Sequence, residues 1–536
     1  MPVNAESADG QVRSRGASTT RRVAGRGWLG WLFVGVLAIY SLTGAGQFQT
    51  VDAAQELGVA VSLRHGNGVR SDFPVGAGGG TTVGRHGHAY AGHDIGSSLL
   101  YLPFTLIPDT VHQTTVVPGD RTGPAPAAGT VATGGEFLQP NQRLYFAASF
   151  LAPVLGALVV LVFALLLAEL RFDPVTVTIT SLALAFTTAI WVYAHVSFDS
   201  TATTLAVSTA LWGAARFHRR AAPDDALLTG ACLAAGVLIR VDTVVMVPFL
   251  ACPVAIGAYR QWKEKSGTPV RSIAALVGPV AVAVAVDLAY NWYRFGSIAD
   301  NGHADDGFLQ FNARIGEGLF GQIASPGKGL LVFSPLLVVA LFRWRWFLRR
   351  HTVIAGSSLA AIVAALVAHA AIVGWAGDQA WGSRFTVVVV PLLAIPLARV
   401  VQEIRNGRIG TPLRITTALL AVVGFVIQLT GVLVDFFAVV VARRLRGEDT
   451  ATSLTHAAYV DGLAVLWHAA RTSQPYVDLT PAWVTALHAA RVDLWWVRAA
   501  QVSGWNVFTV GIPVVLVAVA CGAGIGLRRS LHPAAS

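Results

Sequence analysis

Long apolar runs separated by short polar breaks dominate the chain. A helix needs about 20 predominantly apolar residues to cross the hydrocarbon core of a bilayer while keeping its backbone groups paired. Stretches of this kind fall at 27–46, 143–169, 175–194, 199–215, 226–240, 243–259, 271–290, 328–342, 352–374, 385–399, 413–440 and 503–527. The pattern predicts an all-α polytopic integral membrane protein with about twelve transmembrane helices. The stretch 94–108, "DIGSSLLYLPFTLIP", is too short to cross and suits a helix lying along the membrane, and 51–64, "VDAAQELGVAVSLR", reads as a second juxtamembrane helix of the same loop.

The polar breaks orient these spans. Basic residues gather at Arg21-Arg22, Arg216 to Arg220, Arg260 to Lys265, Arg343 to Arg350 and Arg528-Arg529, as they do in cytoplasmic loops. With a basic tail, 1–26, on the cytoplasmic side, twelve crossings return 216–225, 260–270, 343–351, 400–412 and the C-terminus to that side. Arg443, Arg444 and Arg446 run against the scheme, which makes the eleventh span its weakest. The first apolar stretch follows basic residues as a signal peptide would, but its length and the lack of a clear cleavage site favour a retained span. The outer loops are then 47–142, 291–327, 375–384 and 441–502. No internal repeat is evident, and no segment between spans is long enough for a soluble enzyme domain, so any chemistry belongs at the outer membrane boundary.

Composition supports this frame. The 536 residues are 54% hydrophobic and only 13% charged, and mean hydropathy is +0.58, against about a quarter charged in soluble domains. The net charge of +10 sits in the loop clusters rather than in one patch, which argues against nucleic acid as a partner. Cys232, Cys252 and Cys521 lie in apolar stretches and predict neither a disulfide framework nor a zinc site. Arginine abounds while lysine is confined to Lys263, Lys265 and Lys328, in keeping with a GC-rich bacterial genome.

Several polar residues stand out at the outer boundary. Asp52, with Glu56 one helical turn on, follows the first span; a partly desolvated carboxylate there can act as a general base, or simply cap the 51–64 helix. His86, His88, His93 and Asp94 in "GRHGHAYAGHD" offer imidazole and carboxylate ligands, but their spacing fits no standard metal site, and His93-Asp94 reads first as a cap and cavity-lining pair. Arg240 in "LIRVD" is costly to bury alone, so Asp242, a lipid phosphate or both must compensate it. Arg294 in "NWYRFG", Lys328 in "SPGKG" and Arg384 in "WGSRF" are cations at outer span ends, read either as membrane anchors or as phosphate ligands. Asp199 in "HVSFDST" is a helix cap or a further wall residue. Trp375, Trp381, Trp495 and Trp496 are either interfacial anchors or platforms for sugar rings. "GAGGGT" at 76–81 lacks the Lys-Ser/Thr pair and the buried strand of a phosphate loop.

In order along the chain, "GQFQTVDAAQE", "HAYAGHDIGSSLLYLPF", "GVLIRVD", "YNWYRFGS", "IASPGKGLLVFSPLL" and "WAGDQAWGSRFTVVVVPLLAIP" resemble the GT-C superfamily of membrane glycosyltransferases. The likeness is to the bacterial relatives of protein O-mannosyltransferases and lipid A aminoarabinose transferases, the family 39-like group, over roughly residues 27–400. The resemblance implies a catalytic module at 27–400, followed by C-terminal helices at 401–536 that include the 441–502 loop. It implies an extracytoplasmic cavity in the bacterial cytoplasmic membrane, with both termini cytoplasmic. The activity implied is inverting transfer of a sugar from a polyprenyl-phosphate donor to a hydroxyl of an envelope glycan, lipid or protein.

The family's catalytic aspartate falls on Asp52, with Glu56 and Asp94 as alternatives. Arg240, Asp242, Arg294, Lys328, Arg384 and His93 are the candidates for holding substrate or phosphate. Some members use a divalent metal and others do not, so no cofactor is assigned. Many members carry a second acid beside the catalytic aspartate, whereas Ala53 follows Asp52 here. A transporter or flippase of lipid-linked or small solutes is the rival reading, with ionisable residues inside spans and broken helices as its expected signs. Asp287 is the nearest such residue. A non-catalytic scaffold for envelope assembly is the third reading.

Overall fold

The computed structural model describes residues 27–71, 81–107, 142–303, 310–311, 314–377, 380–435, 458–471 and 492–531. The 1–26 tail, most of the glycine-rich 76–81 run, the Arg443–Arg446 cluster and most of 441–502 lie outside these residues.

The chain is a multi-pass helical membrane protein. Among the described residues, six helices are long and apolar enough to cross a membrane: Arg143–Glu169, Val241–Lys263, Pro269–Phe295, Thr352–Ala370, Thr411–Leu433 and Val507–Leu531. The pair Arg384–Ala394 and Leu397–Arg405, bent by 42°, makes a seventh if it forms one span. The other apolar stretches are also helical, but short or broken. The 175–194 stretch divides at Thr188, which is extended (φ −129°, ψ 168°), into Pro174–Thr187 and Ile190–His195. The 328–342 stretch divides into Leu330–Phe333 and Leu337–Leu341 around Pro335, which cannot donate to the helical ladder. Pro396 acts likewise between Ala394 and Leu397. The helix in the 413–440 stretch ends at Leu433.

The Asp199–Arg220 helix is the buried axis of the bundle and packs against Leu151–Glu169, Pro223–Ile239 and Val247–Lys263. Thr203, Thr204 and Thr209 return their hydroxyls to the helix itself, Thr204 to the Ser200 carbonyl at 2.6 Å, while Thr201 donates to the Tyr193 carbonyl before it. Its two ends mark two polar layers roughly 33 Å apart by helical rise. At its C-terminal end, Arg219 pairs with Glu169, and Arg216 with Asp225 at 2.8 Å. The same layer holds Arg405–Asp173 at 2.5 Å and Arg343–Glu403 at 2.9 Å. These pairs join the loops that the arginine pattern assigns to one side. By contrast, Pro269–Phe295 and the C-terminal helix expose Val277, Val282, Val514 and Val515, the apolar surface expected of helices that face lipid.

Both short stretches of the first loop are helical, at Val51–Arg64 and at Ile95–Tyr101 with a 3-10 extension to Leu106. Between them Thr81–Val83 and Ala89–Ala91 form a small antiparallel hairpin that the helical pattern did not predict. Arg294 secures it from the end of the Pro269–Phe295 helix, donating to the carbonyls of Ala91 (2.5 Å) and His93 (3.0 Å). Gly96 then docks the next helix onto the end of Pro223–Ile239, where a Cβ would come within 2.5 Å of the Leu238 carbonyl. The clash is with backbone that cannot rotate away. Gly96→Ala is therefore expected to destabilise by about 1 to 3 kcal/mol, outweighing the roughly 1 kcal/mol that alanine adds to a helix. Thermal unfolding in detergent checks this, and an unchanged midpoint would contradict it.

Candidate functional site

Thr50 caps the Val51–Arg64 helix, its side chain accepting from the Ala53 amide. That leaves Asp52 in the first turn, where its carboxylate pairs with Arg384, a residue that lines a cleft. Arg384 Nη1 donates to Asp52 Oδ2 at 2.5 Å, and His93 Nε2 lies 3.8 Å from Asp52 Oδ1. Asp52 and His93 come from the first loop and Arg384 from a segment 332 positions beyond Asp52, joined by the packing of that loop against the 384–389 turn.

Arg240 forms the other half of the cleft, at the break between Pro223–Ile239 and the Val241–Met246 turn. Its guanidinium contacts Asp242 Oδ2 at 2.5 Å and Asp199 Oδ1 at 3.2 Å. His369 Nε2 lies 2.8 Å from Asp242 Oδ2, while its Nδ1 faces the Ala365 carbonyl at 2.8 Å. Phe385 organises the group. The His369 ring stacks on it at 4.5 Å, and Arg240 and Arg384 lie over it at 5.0 and 5.6 Å. The cleft is partly open to solvent and is lined by Ser200, Thr203, Arg240, Asp242, His369, Arg384 and Phe385 among others.

The acids of the first loop differ in charge. Burial would push the Asp52 carboxyl up, but the Arg384 guanidinium beside it, joined at low pH by protonated His93, prevails and holds it at about 2. Burial pushes Asp94 up to about 8, helped by Asp287. Burial, with Asp199 and Asp52 nearby, also holds the Glu56 carboxyl well above the usual range. At neutral pH Asp52 is thus ionised and Asp94 largely protonated, while Glu56 is shifted in the same direction as Asp94. Burial likewise lowers His93, so its ring is uncharged there.

Asp94 is the acceptor for the Val241 amide at 2.6 Å, which ties the first loop to the Arg240 turn. A carboxyl raised on folding is neutral in the fold and ionised in the unfolded chain. Its contribution is complete below the unfolded pKa and is lost as pH rises toward about 8. Asp94→Asn keeps an acceptor and cannot ionise. Its melting temperature is expected to fall less than that of the unaltered chain between about pH 5 and pH 8. Parallel curves would contradict this.

The remaining sequence candidates lie elsewhere. Arg294 is fully buried and serves the hairpin, with Nη2 also donating to Asn291. Lys328 is buried, and its Nζ donates to the Ala380 carbonyl at 2.9 Å, bracing the segment that precedes Arg384. Trp375 and Trp381 pack in the interior, and Trp495 and Trp496 donate to the Ser41 and Leu42 carbonyls. Among the described residues no group of three or more His, Cys, Asp or Glu side chains is arranged to hold a metal ion. Sequence reasoning passed over His369 and Phe385. An ionisable side chain within the apolar 352–374 run was the signal for His369; nothing local marked Phe385. No known protein-family model matches the chain, and no curated protein matches it.

Proposed function

We propose that the protein is an inverting glycosyltransferase with a GT-C-like, roughly twelve-helix architecture in a bacterial cytoplasmic membrane, both termini being cytoplasmic. It would move a sugar from a polyprenyl-phosphate donor to a hydroxyl of an envelope glycan, lipid or protein on the outer face. The observation that carries this reading is the pairing of Asp52 with Arg384, which lines one cleft together with Arg240. Transfer needs a base for the incoming hydroxyl and cations for the departing lipid phosphate, and guanidinium forks suit phosphate oxygens. The site offers both within one Phe385-centred cluster.

With Arg384 on its carboxylate, Asp52 is a poor proton acceptor. A phosphate that draws Arg384 toward itself relieves that pairing and raises Asp52 basicity as the donor binds. The acceptor oxygen then attacks the anomeric carbon, its proton passes to Asp52, and the bond to the phosphate oxygen breaks with inversion. Arg240 and Arg384 take up the charge that develops on the phosphate.

The broken helices at Thr188, Pro335 and Pro396 favour the transporter or flippase reading as the alternative, since interrupted spans frame transporter sites. The test is consumption of a panel of polyprenyl-phosphate sugars by the purified protein in nanodiscs. Formation of free polyprenyl phosphate from one donor supports transfer. Failure with the whole panel, together with uptake of a lipid-linked or small solute into proteoliposomes, would move the transporter reading ahead.

A further inference from the structure

The buried polar network around Asp493 lies outside the cleft and has no part in the chemistry above. Asp493 and His195 are each about 1% exposed, and Gln49 is 7% exposed. Gln49 Nε2 donates to Asp493 Oδ2, and His195 Nε2 lies 3.2 Å from the same oxygen. His195 Nδ1 reaches the Thr43 carbonyl at 2.6 Å. On the far side, Arg498 Nε donates to Asp493 Oδ1 at 2.7 Å and its Nη2 lies 3.3 Å from Asp435. Burial raises the Asp493 carboxyl, but Arg498 and His195 more than offset this and keep it ionised.

The Gln49 and His195 limbs of this network end on the turn that leads into Asp52. Thr43 and Gln49 bracket that turn. The Trp495 amide donates to the Gly44 carbonyl at 3.0 Å, and Thr50 Oγ1, the helix cap, donates to the Ser197 carbonyl at 2.8 Å. Gly46 sits against the Trp495 side chain with φ +69°, so the backbone approaches closely at its middle. Burying two or more charges costs more than packing apolar side chains of similar size, and such networks are retained where one geometry must be selected. Only Thr50 and Val51 separate Gln49 from Asp52.

We infer that Asp493, with His195, is a positioning residue: it clamps residues 43–50 and thereby sets where the Asp52 carboxylate stands beside Arg384. This gives the end of the 441–502 loop a role that its own residues did not reveal. The catalytic consequence rests on the transferase reading, whereas the clamp itself does not.

The test compares the full chain with Asp493→Leu and Asp493→Asn in nanodiscs by two readouts. The first is hydrogen–deuterium exchange of residues 43–56, with the Asp199–Arg220 helix as internal reference. The second is kcat and KM for consumption of the polyprenyl-phosphate sugar that the panel identifies. Asp493→Leu is expected to speed exchange across 43–56 and leave the reference unchanged. Because small misplacements of a reacting group cost on the order of 100-fold, kcat should fall by about that factor with KM within about twofold.

Asp493→Asn keeps the side-chain size and an acceptor for Gln49, and should fall between the two. If the leucine variant does not fold, the asparagine variant decides by the same readouts. Unchanged exchange over 43–56, or an unchanged kcat, would overturn the inference. If the unaltered chain consumes no donor, the transferase reading fails separately. Exchange then decides the clamp alone, faster exchange supporting it and unchanged exchange refuting it.

Discussion

Asp52→Asn is expected to abolish most sugar transfer, lowering the rate by about 10² to 10⁴, the range that a positioned general base supplies. Asparagine keeps the shape of the side chain and an oxygen for Arg384 Nη1, so folding should survive while proton acceptance is lost. The comparison requires both proteins to give the same melting temperature within a few degrees and the same elution from a sizing column. Asp94 is a poor substitute at neutral pH, because burial pushes its carboxyl up to about 8, and burial raises Glu56 as well. Transfer by Asp52→Asn at the unaltered rate would place the base elsewhere and leave Asp52 as a partner for Arg384 only.

Arg384→Gln should produce the second large effect, in two separable parts. Loss of a guanidinium from a developing phosphate charge is expected to lower kcat/KM by about 10² to 10³. The same change removes the main charge that holds Asp52 at about 2. Asp52 is depressed in the fold, so its ionised form persists until pH falls through about 2; without Arg384 that point moves up toward the ordinary carboxylate range. The acid limb of the pH–rate profile should therefore shift to higher pH in the variant. Arg384→Lys keeps the charge but not the planar fork, and should recover part of the acid limb and less of the rate. An acid limb that stays in place would show that Arg384 does not control Asp52.

Much of the fold was legible because lipid imposes so strict a pattern. Each apolar run contains helix, and both short stretches of the first loop are helical, but among the described residues only six helices, or seven with the bent pair, are long and apolar enough to cross. What the runs concealed was continuity: Pro335 and Pro396 were visible as residues, but apolarity alone does not show whether neighbouring helices bridge a break. The site was legible residue by residue and illegible as a set. Asp52, Arg384 and Arg240 stood out through the cost of charge at a membrane boundary, yet nothing local pairs Asp52 with a residue 332 positions away. For the same reason Arg294 and Lys328 resembled phosphate ligands, although their donors serve carbonyls of distant loops. Asp493, within a loop of otherwise ordinary composition, acquires meaning only from Gln49 and His195.

The most direct measurement follows a donor labelled separately in its sugar and in its polyprenyl chain through proteoliposomes that contain the protein and an acceptor extract. The account predicts that the two labels part, the sugar passing to acceptor while the lipid remains as polyprenyl phosphate, and that Asp52→Asn prevents the separation. Labels that stay together while crossing from one leaflet to the other would contradict it and make the protein a flippase.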